Sequence, residues 1–353
     1  MKRVLFICKD RDISYFGGLG SINSSGLWNS SLAICDMLNT YGIADAKIVK
    51  VIDNNCIDRE VTKFKPTHVI IEALWVVPDK FDILCKLHPR IKWYIRLHSD
   101  IPFLANEGMA IEWLFGYLRH ENVYVAFNSL ETLEEIKKVM FGSKSLYLPN
   151  YYESKECAPK GHFISREFVN IGCFGAIRPF KNQLLQAMAA IQFVETYTDK
   201  RLRFYINSTR VETKGESILK NIRALFANSM GHELVEINWL EHDEFVSFMR
   251  KEIDIGMQVS FSETFNIVIA DMVNCAIPVV VSPEIYWIHS KYQADPNSGH
   301  DMIGKLRRAY SSVKTKHHMI NVLLLQDVNK ESMKVWKRFL GSKLCSMWWK
   351  FWE

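Results

Sequence analysis

Short continuous runs of apolar residues alternate along this chain with longer stretches in which apolar residues recur every three or four positions. The first run, Val4-Leu5-Phe6-Ile7-Cys8, predicts a strand buried on both faces. Residues 27–41 follow with Leu27, Ala33, Ile34, Met37 and Leu38 in helical period, and Gly42 stands where a helix C-cap belongs. Further strands are expected at 46–52, 68–74, 92–97 and 123–127, with helical or irregular segments at 58–64 and 79–87. Residues 101–121 predict a loop and then a helix rich in large apolar residues (Met109, Ile111, Trp113, Leu114, Phe115). A charged helix at 131–140 and a strand at 145–150 close this first series.

A polar connection at 151–167, containing Pro159 and Gly161, precedes a second series. It predicts strands at 168–174, 203–207, 235–240, 255–259 and 279–281, and helices at 183–197, 244–251, 301–312 and 330–340. Between the last two strands another helix is expected, capped by Ser262 or Thr264, with Phe265, Ile269 and Met272 on one face. Strands alternating with helices imply parallel sheets covered on both sides. Two such series make two domains.

Composition narrows this only slightly. A chain of 353 residues with 48% hydrophobic and 24% charged residues is an ordinary globular protein, long for one core. No run approaches the roughly eighteen apolar residues of a membrane span, and Lys9-Asp10-Arg11-Asp12 interrupts the apolar start too early for a signal peptide. The eight cysteines are scattered, without a Cys-x-x-Cys pair, which fits reduced thiols and a cytoplasmic setting (the host cytoplasm for a viral chain) better than disulfides or zinc. A net charge of +5 permits an anionic partner and demands none.

Candidate chemistry collects where strands end, because ligands of open parallel sheets bind beyond the carboxyl ends of the strands. Gly175-Ala176-Ile177-Arg178-Pro179-Phe180-Lys181-Asn182 places two cations beside a glycine turn at a helix start, the outline of a diphosphate site. Ser260 to Asn266 forms a polar loop entering a helix, where backbone N–H groups suit an anion. Glu263 precedes that helix and Asp271 lies eight residues on, so two acids could clasp the hydroxyls of a sugar nucleotide. His98 closes the strand 92–97; Asn207 and Ser208 close another; Leu240-Glu241-His242 follows a third. Tyr15-Phe16-Gly17-Gly18-Leu19-Gly20 is a glycine-rich loop without dinucleotide-fingerprint spacing. Asp10-Arg11-Asp12 offers an Asp-x-Asp, better explained as a polar loop than a metal site, so no metal is expected.

Glu263, seven intervening residues, Asp271 and the Pro278-Val279-Val280 strand resemble the donor-binding signature of retaining GT-B glycosyltransferases. Lys181-Asn182 is in register with that family's Gly-Arg-x-x-x-x-Lys-Asn segment, while Ala176 holds the arginine position and Arg178 stands two residues later. Leu148-Pro149-Asn150 resembles the usual exit from the first domain. The resemblance implies an α/β GT-B architecture: two Rossmann-like domains with a cleft between them and a C-terminal helix returning to the first. The corresponding boundaries are 1–158 (acceptor domain), 159–325 (nucleotide-sugar domain) and 326–353 (helical tail ending in Trp348, Trp349 and Trp352).

It also implies a hexosyltransferase-type activity with a UDP- or GDP-sugar donor, retention at the anomeric carbon and no obligatory cofactor. Glu263, Lys181, Arg178 and His98 take catalytic places, with His98 and Glu263 at the donor sugar. Asp271 takes the ribose, one methylene shorter than the usual glutamate. Thr264, Phe265, Asn266, Asn207, Ser208, Leu240, Gly17 and Gly18 line the donor. The acceptor is left as either a glycan or lipid-linked sugar, or a hydroxymethylated pyrimidine in DNA. The DNA acceptor requires a basic face on the first domain, for which Lys63, Lys65, Arg90, Lys92, Arg96 and Lys144 are the candidates. A sugar-nucleotide epimerase of the same fold, or a non-catalytic sugar-nucleotide-binding subunit, are the alternatives.

Overall fold

The computed structural model describes residues 1–10, 26–139, 144–153, 163–212 and 214–341. These fall into two compact units, one built from the amino-terminal half together with residues 328–341, the other from residues up to 327 of the second half plus residue 26.

The first unit holds a six-stranded, all-parallel sheet: β1 (Arg3–Lys9), β2 (Asp45–Val51), β3 (His68–Glu72), β4 (Lys92–Leu97), β5 (Val123–Phe127) and β6 (Ser145–Tyr147). Its order is β2-β1-β3-β4-β5-β6. The continuous apolar runs hide a period of two. Leu5, Ile7, Val69, Ile71, Trp93 and Ile95 face one core layer, shared with Phe81, Leu114 and Tyr117 from the helices Lys80–Leu87 and Ala110–Leu118. Val4, Phe6, Ile70 and Tyr94 face the other, shared with Ile34 and Leu38 of the helix Gly26–Thr40. Such runs arise because both faces of a parallel sheet are covered.

The second face is completed from far along the chain. The helix Ile320–Gly341 begins ten residues earlier than the 330–340 expected, and its carboxyl half lies on the first sheet. Trp336 is fully buried there, 5.9 Å from the Phe6 ring, and its Nε1–H donates to the Pro149 carbonyl at 3.0 Å. Asn329 accepts the Tyr152 N–H at 2.9 Å and returns a bond to the Tyr152 carbonyl. Phe339 packs edge-on against His68 and Tyr94. The expected strand 145–150 is thus paired only to Tyr147; Leu148, Pro149 and Asn150 spend their acceptors on Arg96 and Trp336 instead of a ladder.

The second unit has a five-stranded parallel sheet of β7 (Phe168–Gly172), β8 (Arg201–Asn207), β9 (Glu233–Ile237), β10 (Ile255–Gln258) and β11 (Val279–Val281), ordered β11-β10-β7-β8-β9. The chain starts in the middle, builds outward through β8 and β9, and then crosses back to β10. The switch point therefore lies between β7 and β10, where loops leave in opposite directions and open a crevice. The helix Gln183–Tyr197 matches its expected bounds, and its Phe193 packs edge-on against Tyr310 of Gly299–Thr315. The helix Gly215–Ala227 was not anticipated. It lacks a Ser, Thr, Asp or Asn cap, and Gly215 begins it because a Cβ there would stand 2.2 Å from the Ile177 carbonyl oxygen. Among the described residues no helix is long and apolar enough to cross a membrane.

His68 supplies a test of the packing beneath the last helix. It is 5% exposed. Burial, followed by the nearby Lys2 and Lys92 ammonium groups, holds its pKa down to about 4 from an ordinary 6.5. The folded protein therefore binds fewer protons than the unfolded chain between these values, so stability is full above pH 6.5 and is lost as pH falls towards 4. The loss amounts to roughly 3 kcal/mol. Urea midpoints measured across this range should drop less steeply in His68→Phe than in the wild type, and parallel slopes would refute the assignment.

Candidate functional site

Two loops meet at the switch point of the second sheet, and side chains stitch them together. After β7 the chain turns at Gly175, whose φ of +112° lies in the region closed to most side chains. The Gly175 N–H donates to Asn207 Oδ1 at 2.9 Å, tying this turn to the end of β8. A single 3-10 turn, Pro179–Lys181, then leads to Asn182, at φ 55°, and the helix Gln183–Tyr197. Asn182 donates to the Val259 and Pro296 carbonyls, at 3.2 and 2.8 Å. Gln186 donates to the Lys181 carbonyl at 2.7 Å and accepts the Val259 N–H at 2.7 Å. The Phe261 N–H donates to the Phe180 carbonyl at 2.8 Å. The loop after β10 is thus pinned to the loop after β7 by groups that carry no net charge.

On this frame Lys181 Nζ donates to Glu263 Oε1, with both side chains about nine-tenths buried (10% and 8% exposed). Burial pulls the Lys181 pKa down, Glu263 opposes this, and the Arg178 charge adds to the depression. Cys173, beneath the pair, is buried and pushed up to about 12, so it stays a thiol and is no nucleophile. Arg178 Nη1 donates to Glu212 Oε2 at 3.0 Å, and Arg210 Nη2 holds the other oxygen of Glu212 at 2.7 Å. Arg210 in turn stacks on Trp239, 5.2 Å from ring centre to guanidinium carbon. Arg178 is thus part of a cation–carboxylate–cation array.

The loop from Ser260 ends at Asn266, with φ 57°, whose Oδ1 accepts the Ile269 N–H at 3.0 Å and caps the helix Ile267–Asn274. Neither Ser262 nor Thr264 is the cap, and the helix starts later than expected. Asparagine tolerates the left-handed backbone that this tight entry imposes. Thr264 is half-buried in the same loop. Phe265 turns inward, 1% exposed and stacked on Trp287, whose Nε1–H donates to the Phe265 carbonyl at 2.8 Å. Asn207 is also buried, spending its carbonyl oxygen on Gly175, and the Ser208 N–H donates to Ile237. Leu240 is half-buried before the helix His242–Glu252. Asp271 is buried in its helix and accepts a bond from His242 at 2.9 Å. Gly17 and Gly18 lie outside the described residues, as do Arg11 and Asp12 of the Asp-x-Asp. Among the described residues no group of three His, Cys, Asp or Glu side chains is placed to hold a metal.

His98 belongs to the first unit, one residue beyond β4. Its Nε2 lies 2.5 Å from Glu72 Oε2 at the end of β3, and its Nδ1 lies 3.5 Å from Asn128 Nδ2. Glu72 also receives Arg96 Nη1 at 3.2 and 3.1 Å, and Arg96 Nε donates to the Leu148 carbonyl at 2.9 Å. Burial drives the His98 pKa down, reinforced by Arg96 and opposed by Glu72, so the ring is neutral near pH 7. Glu72 stays ionised: burial alone would raise its pKa, but Arg96 and His98 outweigh it. A carboxylate can only accept, so His98 carries its proton on Nε2 and presents Nδ1 as the acceptor.

Arg96 corrects an expectation. It is fully buried and cannot contribute to a basic surface. Arg90 and Lys92 lie at the amino end of β4, and Lys63 and Lys65 just before β3, at the edge of the sheet opposite His98. Lys144 is turned onto the Leu118 and His120 carbonyls. Glu72 and Glu212 escaped the sequence reading as site members, and His242 entered it only as part of the loop Leu240-Glu241-His242. The legible signal for Glu72 and Arg96 was a charge at the carboxyl end of an otherwise apolar strand.

No family model matches the chain, and no curated protein matches its sequence. Solved structures do match. The apo structure of OtsA superposes with a TM-score of 0.68 at 11% identity, covering 98% of this chain and 100% of that one. An α,α-trehalose-phosphate synthase (UDP-forming) from Burkholderia vietnamiensis gives 0.64 at 11% identity, covering 97% and 96%. A mutant of S. aureus TarM in complex with Fondaparinux, alpha-GlcNAc-glycerol and UDP gives 0.61 at 12% identity, covering 81% and 58%. At such identities the likeness speaks for the fold, and the fold is GT-B, two parallel-sheet α/β units.

Proposed function

We propose that this chain is a glycosyltransferase that moves a sugar from a nucleotide-diphosphate sugar to an acceptor hydroxyl with retention. One observation carries the proposal. Lys181 and Glu263, 82 residues apart, form a buried ion pair at the switch point of the second sheet. A stranded ammonium at that depth would be costly. A sugar diphosphate gives the same two groups work to do. Lysine has three N–H donors, so Lys181 can hold Glu263 and still offer hydrogens to phosphate oxygens. Charge that develops on the departing diphosphate is stabilised by such fixed donors in a water-poor site. Glu263 has acceptor capacity for a sugar hydroxyl. Arg178 adds positive field, tempered by Glu212. His98, neutral and oriented by Glu72, is suited to a hydrogen bond with a sugar hydroxyl rather than to charge neutralisation.

Structures of similar fold whose names carry UDP support a UDP-sugar donor over a GDP-sugar. For the acceptor, the amino-edge position of Arg90 and Lys92 and the burial of Arg96 favour a glycan or other small hydroxyl compound over DNA.

Incubation with a panel of UDP- and GDP-sugars should release nucleoside diphosphate. Isomerised donor would instead indicate an epimerase, and binding without consumption an inert subunit. Mass spectrometry of nucleosides from hydroxymethylated DNA treated with enzyme and donor should show no added hexose. In active protein, Lys181→Ala and Glu263→Ala should each lower turnover at least a hundredfold, and wild-type rates in both would refute the site.

Each of these variants leaves a buried charge without its counterion. Unfolding should therefore cost about 3 kcal/mol less than in the wild type. The double variant Lys181→Met/Glu263→Leu should recover most of that loss while remaining inactive. Denaturant midpoints measure both effects.

A further inference from the structure

Surface cations on this chain commonly meet a carboxylate. Arg3 meets Asp45, Arg203 meets Glu233, Arg223 meets Glu236, and Lys137 and Lys138 each meet a glutamate one turn back. The run from Met302 to Gln326 breaks this habit, with five lysines and arginines and no acid. Among the described residues Arg307, Arg308, Lys314 and Lys316 form no ion pair, and all four are exposed.

The helix Gly299–Thr315 sorts these residues by its period. Met302, Ile303, Leu306, Ala309 and Val313 are buried. His300, Gly304, Arg307, Arg308, Ser311 and Lys314 lie exposed along one stripe. Arg307 rests over the ring of Tyr197, 5.1 Å away on the helix Gln183–Tyr197. Lys305 Nζ donates to the Ser290 carbonyl at 3.3 Å and so brings alongside the turn Ser290–Tyr292, with its exposed Lys291. Asp301 is turned to the Asp295 N–H, and Asp199 bounds the stripe on the side of Tyr310. Lys314 and Lys316 close the helix, where its dipole favours cations. That does not account for Arg307 and Arg308 in its middle or for Lys291 beside it.

The basic stripe leads into exposed aliphatic side chains. His318 turns back to the Ser312 carbonyl at 2.9 Å, so the helix Ile320–Gly341 starts beside the end that carries Lys314 and Lys316. In its first turn Ile320 and Leu323 are 37% and 60% exposed. The phosphate backbone of a nucleic acid offers such side chains nothing, whereas the boundary between lipid headgroups and acyl chains does. Cations beside exposed aliphatic groups match an anionic bilayer surface.

Independently of the glycosyltransferase reading, we infer that this face docks the protein on anionic phospholipid. Headgroup phosphates and carboxylates meet Lys291, Arg307, Arg308, Lys314 and Lys316, and Leu323 enters the interface. The contact is peripheral, lying on the bilayer without spanning it.

The test is co-sedimentation of the full chain with vesicles of equal parts phosphatidylserine and phosphatidylcholine. Pure phosphatidylcholine vesicles and duplex DNA are the other arms. The wild type should bind the anionic vesicles, bind phosphatidylcholine about tenfold more weakly, and be released as salt is raised. Each cation near such a surface contributes about fivefold, so Arg307→Gln/Arg308→Gln/Lys314→Gln should weaken binding about a hundredfold. Leu323→Ser should weaken vesicle binding about fivefold and leave any affinity for DNA unchanged. Melting temperatures should match the wild type, because all four side chains are exposed. Undiminished sedimentation of the triple variant, or a wild type that ignores anionic vesicles, would overturn the inference. Tighter binding to DNA than to vesicles, with Leu323→Ser silent in both, would overturn it in favour of a nucleic-acid surface. None of these outcomes touches donor turnover, so the glycosyltransferase reading is tested separately.

Discussion

An ammonium group taken out of water must be met by an anion, and much of the second unit follows from meeting that demand at Lys181. Its partner Glu263 sits on a loop 82 residues away, so both loops have to be held to hydrogen-bonding tolerance before the pair can form. The neutral contacts of Asn182, Gln186 and Phe261 do this, and they leave the charges free of any structural duty beyond each other. Buried ion pairs seldom repay their desolvation in stability. Retaining one at a strand switch point makes sense when its field is needed by a ligand.

The first unit repeats the arrangement with different residues. Glu72 at the end of β3 and Arg96 near the end of β4 form a fully buried pair, and Arg96 also holds the Leu148 carbonyl and Asn150. Here the cation is structural. Its guanidinium fastens Glu72 and the chain that leaves β6 and also lies 3.2 Å from Nε2 of His98, the histidine that Glu72 orients. Each unit thus buries one carboxylate–cation pair where its strands end, Glu72 with Arg96 in the first and Glu263 with Lys181 in the second.

Much of this was legible from residue order. Runs such as Val4 to Cys8, and the helix Gln183–Tyr197, carry their period so plainly that tertiary context has little to override. Lys181 and Glu263 stand out in the sequence because each lies in a polar loop at a helix start, and the structure pairs the two. The cap at Asn266 was misplaced because Ser262 and Thr264 are equally good caps by type, and only the left-handed backbone of this turn selects asparagine. The helix Gly215–Ala227 was missed because steric closeness to Ile177, rather than a capping side chain, sets its start. Pairings such as Glu72 with His98, or His242 with Asp271, join residues 26 and 29 positions apart, and no local pattern announces them.

The position of Trp336 has a consequence for how the protein is made. A ribosome delivers Val4, Phe6, Ile70 and Tyr94 long before the ring that covers them. Throughout translation of the second unit, the part of this face that Trp336 and Phe339 come to cover, beside the helix Gly26–Thr40, is exposed apolar surface, the kind of intermediate that invites aggregation or chaperone capture. The second unit, whose strands and helices are nearly contiguous in sequence, can close as it emerges. The half synthesised first is therefore the half that finishes folding last.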